Sequence, residues 1–271
     1  MPASPLKTYS RNGFEYIDEG PASDLPPLVL LHGMLGDLSN WTPTVRHFAR
    51  EDYRVLAPLL PVYDLPLSET SVSGLAEYVR RFLRVLGIGP SVLVGNSLGG
   101  QVALIYAIRY PEIVPGMILS GASGVYELAL GNSVLRRRDR SFIRDRAALT
   151  FYDPVHVTDE LVEEILGIVN NRERVLRLIK MARSAKTETV VHELPTLEAP
   201  TLLVWGRDDV ITPPDVAVEF LSHLPNAELH FLEACGHAPM IEHPLEFNRL
   251  ATDFLGRHLR RQFLAPSSNV G

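Results

Sequence analysis

The sequence contains one cysteine among 271 residues, which excludes an internal disulfide and a metal site built from cysteines alone. Among its nine histidines, no pair has the His-Glu-x-x-His spacing, which disfavours a zinc hydrolase. Basic residues are also few: 26 lysines and arginines against 32 acidic residues give a formal net charge of −6. Such a chain has no overall attraction for a polyanion, so nucleic acid is not expected as a partner.

The sequence also lacks a convincing membrane segment. Residues 86–108 carry no charge and are numerous enough to span a bilayer, but they include Pro90, several glycines and several polar side chains. A strand, a sharp turn and a helix fit this stretch better than one lipid-facing helix. Residues 1–20 carry several charges and no apolar segment, so a signal peptide is not expected. We therefore expect a cytoplasmic protein without a membrane span, and its oligomeric state, monomer or dimer, is left open.

Short runs of apolar residues recur along the chain and predict strands that are buried on both faces. These runs are 28–31, 54–60, 91–94, 116–119, 201–205 and 228–232. Helical patterns lie between them, at 72–86, 98–110, 214–224 and 245–258. An N-terminal hairpin is predicted at residues 6–20, around the turn Arg11-Asn12-Gly13. The alternation of strands and helices predicts an α/β fold with a mostly parallel, doubly wound sheet.

The alternation is interrupted once, between residues 125 and 193. This segment contains helical patterns at 159–170 and 172–184 but no clear central strand. We therefore predict one α/β core, residues 1–124 and 194–271, with a helical cap inserted after its sixth strand at 125–193. Six arginines fall close together in the cap, and we interpret them as a solvated helix face, with attraction of an anionic substrate or surface as the alternative. They are Arg136, Arg137, Arg138, Arg140, Arg144 and Arg146.

The most informative segment is Gly95-Asn96-Ser97-Leu98-Gly99-Gly100, which contains G-x-S-x-G between a predicted strand and a predicted helix. A serine at such a turn adopts a strained backbone conformation, and side chains in place of the flanking glycines would collide with the neighbouring strand and helix. The turn exposes the hydroxyl at a helix N-terminus, where the dipole favours developing negative charge. This context predicts that Ser97 is a nucleophile rather than a structural serine.

A serine nucleophile needs a base and a third group that orients the base. His237 follows the last predicted strand, and Asp208 and Asp209 follow the strand before it, so all three should lie at the carboxyl edge of the sheet. From the residues alone, either aspartate could be the orienting group. The oxyanion of the reaction needs two donors, and we expect the backbone N–H groups of Leu98 and Met34 to supply them.

Four motifs make the sequence resemble the α/β-hydrolase superfamily, in its cap-bearing branch of serine esterases and meta-cleavage-product (C–C) hydrolases. They are LHGMLGDLSNW at 31–41, GNSLGG at 95–100, WGRDDVITP at 205–213 and GHAPMIEHP at 236–244. The resemblance extends over residues 28–259 and implies an α/β-hydrolase fold with a helical cap. The family's G-x-x-D pattern implies Asp209 as the third group, beside the nucleophile Ser97, the base His237 and the oxyanion donors Met34 and Leu98.

The sequence departs from the meta-cleavage-product hydrolases at two places. Those enzymes usually carry Ser-Gly-Pro-Gly after the His-Gly pair and a tryptophan after the catalytic histidine, where this sequence has Met34-Leu35-Gly36 and Ala238. We therefore expect a carboxylesterase that needs neither metal nor cofactor and acts on esters of small to medium, apolar acyl groups. C–C hydrolysis, acyl transfer or perhydrolysis, and a ligand receptor on the same fold are the alternatives. The residues expected around the substrate are His32, Gly33, Leu35, Trp41, Asn96, Val210, Ala238 and Met240.

Overall fold

The computed structural model describes residues 6–126, 139–260 and 263, with an eight-stranded sheet at its centre. The strands are β1 (Thr8–Arg11), β2 (Phe14–Glu19), β3 (Leu28–Leu31), β4 (Val55–Pro58), β5 (Val92–Asn96), β6 (Met117–Ser120), β7 (Thr201–Gly206) and β8 (Ala227–Leu232). The helices in the described residues are α1 (Thr42–Arg50), α2 (Val72–Leu86), α3 (Leu98–Arg109), α4 (Arg140–Ala148), α5 (Asp159–Asn170), α6 (Arg172–Thr187), α7 (Pro214–His223), α8 (Pro239–Glu242) and α9 (Pro244–Leu255).

The sheet order is β1-β2-β4-β3-β5-β6-β7-β8. The six strands from β3 onward pair in parallel, whereas β1 pairs antiparallel with β2, and β2 with β4. The β1–β2 hairpin closes at Asn12 and Gly13, which both have positive φ (49° and 81°), as a type I′ turn requires. The predicted α/β fold with a mostly parallel sheet is confirmed, and so are the hairpin and the six later strands.

Side chains of the central strands alternate between two cores, one on each face of the sheet. In β3, Val29 and Leu31 belong to the core that α2 and α3 cover, whereas Leu28 and Leu30 belong to the core that α1 and α9 cover. All four side chains are fully buried. Burial from both faces therefore explains why these strands are apolar at every position.

Helix α3 is buried on almost all sides, because every residue from Leu98 to Ala107 is buried. It packs against α2 on one side and against β3 and β5 on the other. Its N-terminus, which directly follows Ser97, is thereby fixed against the centre of the sheet. With twelve residues α3 is far shorter than a bilayer requires, and none of the helices in the described ranges is both long and apolar enough to cross a membrane.

Helices α4, α5 and α6 lie between β6 and β7, the interval in which the sequence predicts a cap. Helices α4 and α5 share a small apolar cluster of their own. Arg140 of α4 pairs with Asp159 (2.7 Å) and Glu163 (2.9 Å) of α5, and Arg144 also pairs with Asp159. These exposed arginines therefore hold two helices together on the surface. Arg136, Arg137 and Arg138 of the same predicted cluster lie outside the described residues.

Helix α6 attaches this insertion to the sheet-bearing part of the protein. The Gln101 amide of α3 donates to the carbonyl oxygens of Ala185 (3.0 Å) and Glu188 (2.8 Å). The Ser184 hydroxyl accepts from the N–H of Val72, at the start of α2 (2.8 Å). The insertion is thus joined to the N-terminal halves of α2 and α3. Its division from the core at residues 125 and 193 stays a prediction.

Replacing Phe254 by alanine should lower the free energy of unfolding by about 3–5 kcal/mol, because the missing ring leaves a cavity in the core that α1 and α9 cover. Phe254 is 1% exposed, whereas Leu245 on the same helix is 87% exposed. Leu245→Ala is therefore the matched control and should change the free energy of unfolding by less than about 0.5 kcal/mol. Urea unfolding followed by circular dichroism measures both variants, and equal losses would contradict this assignment of the buried face.

Candidate active site

The three residues that the sequence selects as a triad lie at one edge of the sheet. Ser97 directly follows β5, Asp209 follows β7, and His237 follows β8. The carboxyl ends of parallel strands meet at the same edge, which is where open α/β sheets bind their ligands. The end of β6 lies between the elbow and the histidine. The Ser97 N–H donates to the carbonyl of Ser120, the last residue of β6 (3.0 Å). A Cβ at the next residue, Gly121, would lie 2.8 Å from Nδ1 of His237.

Ser97 occupies a sharp turn between β5 and α3, with φ 56° and ψ −122°. A non-glycine residue in this conformation is strained and persists only where its surroundings enforce it. Here both backbone groups of the serine are bonded, because its carbonyl oxygen also accepts from the Ser123 N–H (3.1 Å). The strained turn that the sequence predicts at Ser97 is therefore present.

Close packing of main chain around the elbow leaves no room for side chains at its glycines. A Cβ at Gly95 would lie 2.5 Å from the carbonyl oxygen of Gly99, and a Cβ at Gly99 would overlap the carbonyl oxygen of Leu31 in β3. A Cβ at Gly100 would lie 2.5 Å from the Cβ of Ala122. Each contact is shorter than van der Waals packing allows, so α3 reaches this depth in the sheet only because glycine occupies these positions.

His237 and Asp209 form a buried hydrogen-bonded pair, with 2.8 Å between Nδ1 and Oδ2. Their side chains are 5% and 0% exposed. The other carboxylate oxygen of Asp209 accepts from the N–H groups of Ile211 (2.8 Å) and Thr212 (3.0 Å). A carboxylate only accepts, so the proton of the imidazole lies on Nδ1, and Nε2 keeps the lone pair that a base needs. The neighbouring Asp208 is exposed, so Asp209 is the aspartate that contacts His237, and its role as the orienting group stays a prediction.

Thr212 contacts both members of this pair, a contact that the sequence reasoning missed. Its hydroxyl donates to Oδ2 of Asp209 (2.9 Å) and lies 3.2 Å from Nδ1 of His237. Thr212 lies three residues after the aspartate of the G-x-x-D pattern, so the pattern does not identify it. The hydroxyl and the two backbone N–H groups together fix the carboxylate in one orientation.

The main chain of His237 is held from two further directions. Its N–H donates to the carbonyl oxygen of Thr150, which follows α4 in the insertion (2.8 Å). Its carbonyl oxygen accepts from the Asn96 side-chain amide (2.9 Å), which also donates to the Ser120 carbonyl (2.9 Å). Asn96, expected from the sequence beside the substrate, is therefore a bridge between the elbow and the histidine loop in this structure.

The loop after β3 runs beside Ser97, since a Cβ at Gly33 would lie 3.2 Å from the Cβ of Ser97. Its peptide bonds are trans, so the Met34 N–H points opposite to the Gly33 carbonyl. That carbonyl is held by Nδ1 of His32 (2.8 Å), and the Tyr63 hydroxyl donates to the Met34 carbonyl. The Leu98 N–H belongs to the first turn of α3, where backbone donors have no acceptor within the helix. The assignment of the Met34 and Leu98 N–H groups as oxyanion donors stays a prediction.

The bonds of His32 fix its protonation state. Nε2 accepts from the Leu60 N–H (2.9 Å), so the proton lies on Nδ1, which donates to the Gly33 carbonyl. Burial lowers the pKa of His32 below its ordinary value of 6.5, because a charged imidazole would lose its hydration. In contrast, burial and the nearby Glu242 carboxylate raise the pKa of the Cys235 thiol well above its usual range. Cys235 is therefore protonated and is not a nucleophile.

The remaining residues expected around the substrate fall into two groups. Leu35 and Val210 are partly exposed, at 40% and 45%, next to the oxyanion loop and Asp209 respectively. Trp41 and Met240 are fully buried in the core that α1 and α9 cover, and Ala238 is almost fully buried there. The exposed pair alone offers surface to a ligand without rearrangement. The assignment of all these residues to a substrate pocket stays a prediction.

The chain is similar to a known family over most of its length. The sequence model of the Alpha/beta hydrolase family matches residues 28–250. A 2-hydroxy-6-oxononadienedioate/2-hydroxy-6-oxononatrienedioate hydrolase from Burkholderia vietnamiensis is 32% identical, covering 89% of this chain and 90% of its own. A 2-hydroxy-6-oxo-6-phenylhexa-2,4-dienoate hydrolase from Burkholderia cepacia is 30% identical, covering 84% and 87%. The meta-cleavage product hydrolase from Pseudomonas fluorescens has a similar structure, with a TM-score of 0.78, 25% identity and coverage of 93% and 97%.

These similarities correct one prediction and confirm another. The expectation of a carboxylesterase is wrong, because the curated relatives hydrolyse C–C bonds in meta-cleavage products, the alternative in the sequence analysis. The two departures at Met34-Leu35-Gly36 and Ala238 did not separate the two reactions, since both begin with the attack of a serine oxygen on a carbonyl carbon. The resemblance stated from the four motifs is confirmed. This chain belongs to the alpha/beta hydrolase family and is a hydrolase.

Proposed function

We propose that the protein hydrolyses a carbon–carbon bond in a 2-hydroxy-6-oxo-diene carboxylate. The observation that carries this proposal is the similarity of 89% of the chain, at 32% identity, to a hydrolase of such compounds. The buried pair of Asp209 and His237 beside the Ser97 elbow supports it, because such a pair activates a serine hydroxyl toward a carbonyl carbon. In this proposal Ser97 is the nucleophile, His237 the base and Asp209 the group that orients and stabilises the imidazolium.

The first step joins the enzyme to the substrate. Nε2 of His237 takes the Ser97 proton as the serine oxygen bonds to the carbon of the 6-oxo group. The former carbonyl oxygen becomes an oxyanion, and the N–H groups of Met34 and Leu98 stabilise it. Because His32 and Tyr63 already hold the carbonyl groups of the Met34 loop, this donor needs no reorganisation during the reaction.

Breaking the carbon–carbon bond requires an acceptor for the electron pair that leaves with carbon 5. The 2-hydroxy-diene provides one after it tautomerises to the 2-oxo form, with a proton moved to carbon 5. Collapse of the oxyanion then breaks the bond between carbons 5 and 6 and delivers the pair through the conjugated chain to the 2-oxo oxygen. The His237 imidazolium returns the serine proton to that oxygen, which releases a 2-hydroxy-diene carboxylate and leaves an acyl-Ser97.

The second half of the reaction repeats the same roles with water. His237 removes a proton from water as it attacks the acyl carbonyl, and then gives that proton to the Ser97 oxygen as the acid departs. We also propose that residues 125–193 form a cap beside this edge of the sheet, supported by the bond between the His237 N–H and Thr150. A cytoplasmic location stays a prediction from the lack of an apparent signal peptide and membrane segment in the sequence.

Replacing Ser97 by alanine should lower kcat by about 10³-fold or more, because no other group in the proposal forms the acyl-enzyme. The assay follows the loss of visible absorbance of 2-hydroxy-6-oxonona-2,4-dienedioate and of 2-hydroxy-6-oxo-6-phenylhexa-2,4-dienoate. Ser123→Ala is the matched control, since it removes another buried hydroxyl from the adjoining loop and should retain activity. If the native protein cleaves neither dienoate, or if Ser97→Ala cleaves at the native rate, the proposed function is wrong.

Replacing Thr212 by valine should lower kcat about fivefold and leave KM nearly unchanged. The isosteric valine removes one hydrogen bond to the Asp209 carboxylate, and such a bond contributes about 1 kcal/mol. Thr196→Val is the control, because its hydroxyl bonds to the Glu193 carbonyl on the surface, away from the carboxyl edge. Steady-state kinetics on the better dienoate measures both, and unchanged kcat in Thr212→Val would exclude a role for this hydroxyl.

Replacing His32 by glutamine should reduce the acid sensitivity of the fold. Because burial lowers the pKa of His32 in the folded protein, its contribution to the free energy of unfolding is complete above pH 6.5 and is lost as the pH falls below that value. The drop in the free energy of unfolding between pH 7 and pH 5 should therefore be smaller in His32→Gln. The exposed His192→Gln should keep the native pH dependence, and urea unfolding at each pH measures all three. An unchanged drop in His32→Gln contradicts the prediction.

A further inference from the structure

We propose that Glu242, at the end of α8, is a positioning residue that couples the helical insertion to the base His237. This inference rests on the proposed function only in the role that it gives to His237. Nothing in the sequence motifs assigns a role to this carboxylate, although it lies five residues after the histidine. Its partners in the structure come from two segments that are about 85 residues apart in the chain, which a merely local helix contact would not explain.

The two oxygens of Glu242 bind different segments. Oε1 accepts from the N–H of Gly236, the residue before His237 (2.8 Å). Oε2 accepts from the N–H of Tyr152 (2.6 Å) and, at the longer distance of 3.4 Å, from that of Asp153, both in the insertion. Cys235 lies beside this junction, with its protonated thiol 3.9 Å from Oε1. The carboxylate therefore joins the histidine loop to the segment after α4 through backbone donors.

The two segments are also packed in direct contact, so a change in one displaces the other. A Cβ at Gly236 would lie 2.8 Å from the carbonyl oxygen of Thr150 and 2.8 Å from the backbone nitrogen of Tyr152. The Thr150 carbonyl in turn accepts from the His237 N–H (2.8 Å). Glu242 anchors Tyr152 two residues further along, and it thereby also holds Thr150 against the histidine.

This network fixes the peptide groups on both sides of His237. The Gly236 N–H is bound by Glu242, the His237 N–H by Thr150, and the His237 carbonyl by Asn96. If the bond between Nδ1 and Asp209 were the only restraint, the imidazole could rotate about that contact. Nε2 must meet the serine hydroxyl within hydrogen-bond distance, and a shift of about 1 Å in such a group costs up to roughly 100-fold in rate. The insertion therefore supports the base as well as flanking the site.

The test compares Glu242→Gln with Glu246→Gln. Glutamine has the shape of glutamate but only one acceptor oxygen, so it cannot bind Gly236 and Tyr152 at once. Glu246 is the matched control, because its carboxylate lies nearby in α9 and bonds to the exposed side chain of Arg249. Three quantities are measured on native protein and both variants: kcat and KM for the dienoate, the rate at which a fluorophosphonate modifies Ser97, and the downfield proton resonance of the His237 Nδ1–H. Circular dichroism gives the folded fraction of each.

In Glu242→Gln, kcat and the rate of Ser97 modification should fall together by roughly 10- to 100-fold, while KM stays nearly constant. The Nδ1–H resonance should broaden, and Glu246→Gln should match the native protein in every measurement. Native rates and a native resonance in Glu242→Gln would overturn the inference, as would a loss that equals the loss of folded protein. A native protein that reacts with the fluorophosphonate but cleaves no dienoate would refute the proposed function alone, because the modification rate still tests Glu242. If the native protein does not react at all, both proposals fail.

Discussion

The close approach of main chain at the elbow is the constraint on which the rest of the site depends. Helix α3 begins so near the ends of β3 and β5 that Gly95 and Gly99 have no room for a Cβ. This packing forces Ser97 into a positive φ and brings the loop after β3 against the serine. The same contact aligns the buried first turn of α3 with the strand ends from which the other site residues come. A looser elbow would move Ser97 away from the loop after β3 and from the segment after β6.

Around the elbow, the site is built mainly by hydrogen bonds from side chains to main chain. His32 and Tyr63 each bind a carbonyl of the loop after β3, and Asn96 binds the carbonyls of Ser120 and His237. Such bonds fix whole peptide groups and not only side-chain rotamers, so they hold loops that carry no regular secondary structure. Glu242 extends the same principle to the insertion, which becomes part of the support of His237.

The choice of reaction illustrates what such a framework leaves open. A serine, a histidine and an aspartate in this arrangement attack the carbonyl of an ester or of a ketone, and the fold does not distinguish the two reactions. Discrimination between the two reactions depends on contacts with the leaving group, and binding contacts in proteins come disproportionately from loops. The absence of a tryptophan at Ala238 was therefore a weak basis for predicting ester hydrolysis. The similarity that supports C–C hydrolysis extends over 89% of the chain and therefore reflects many positions at once.

The fold class, the strand runs and the helices with clear end signals could be predicted from the amino-acid sequence alone. The bounds of α2 and α5 match the predicted bounds, because Ser71 and Thr158 cap their first turns and Gly87 ends α2 in the left-handed conformation. Helix α1 was not predicted, since its formation depends on packing more than on local pattern, and the arginine cluster indicated a helix face at α4 without giving its bounds. The family pattern already implied Asp209, but the contact of Asp209 with His237, the bridge that Asn96 makes between two loops, and the contacts of Thr212 and Glu242 are visible only in the folded structure. These contacts join residues far apart in the chain or turned away from the local motif, and their geometry exists only once the strands have aligned.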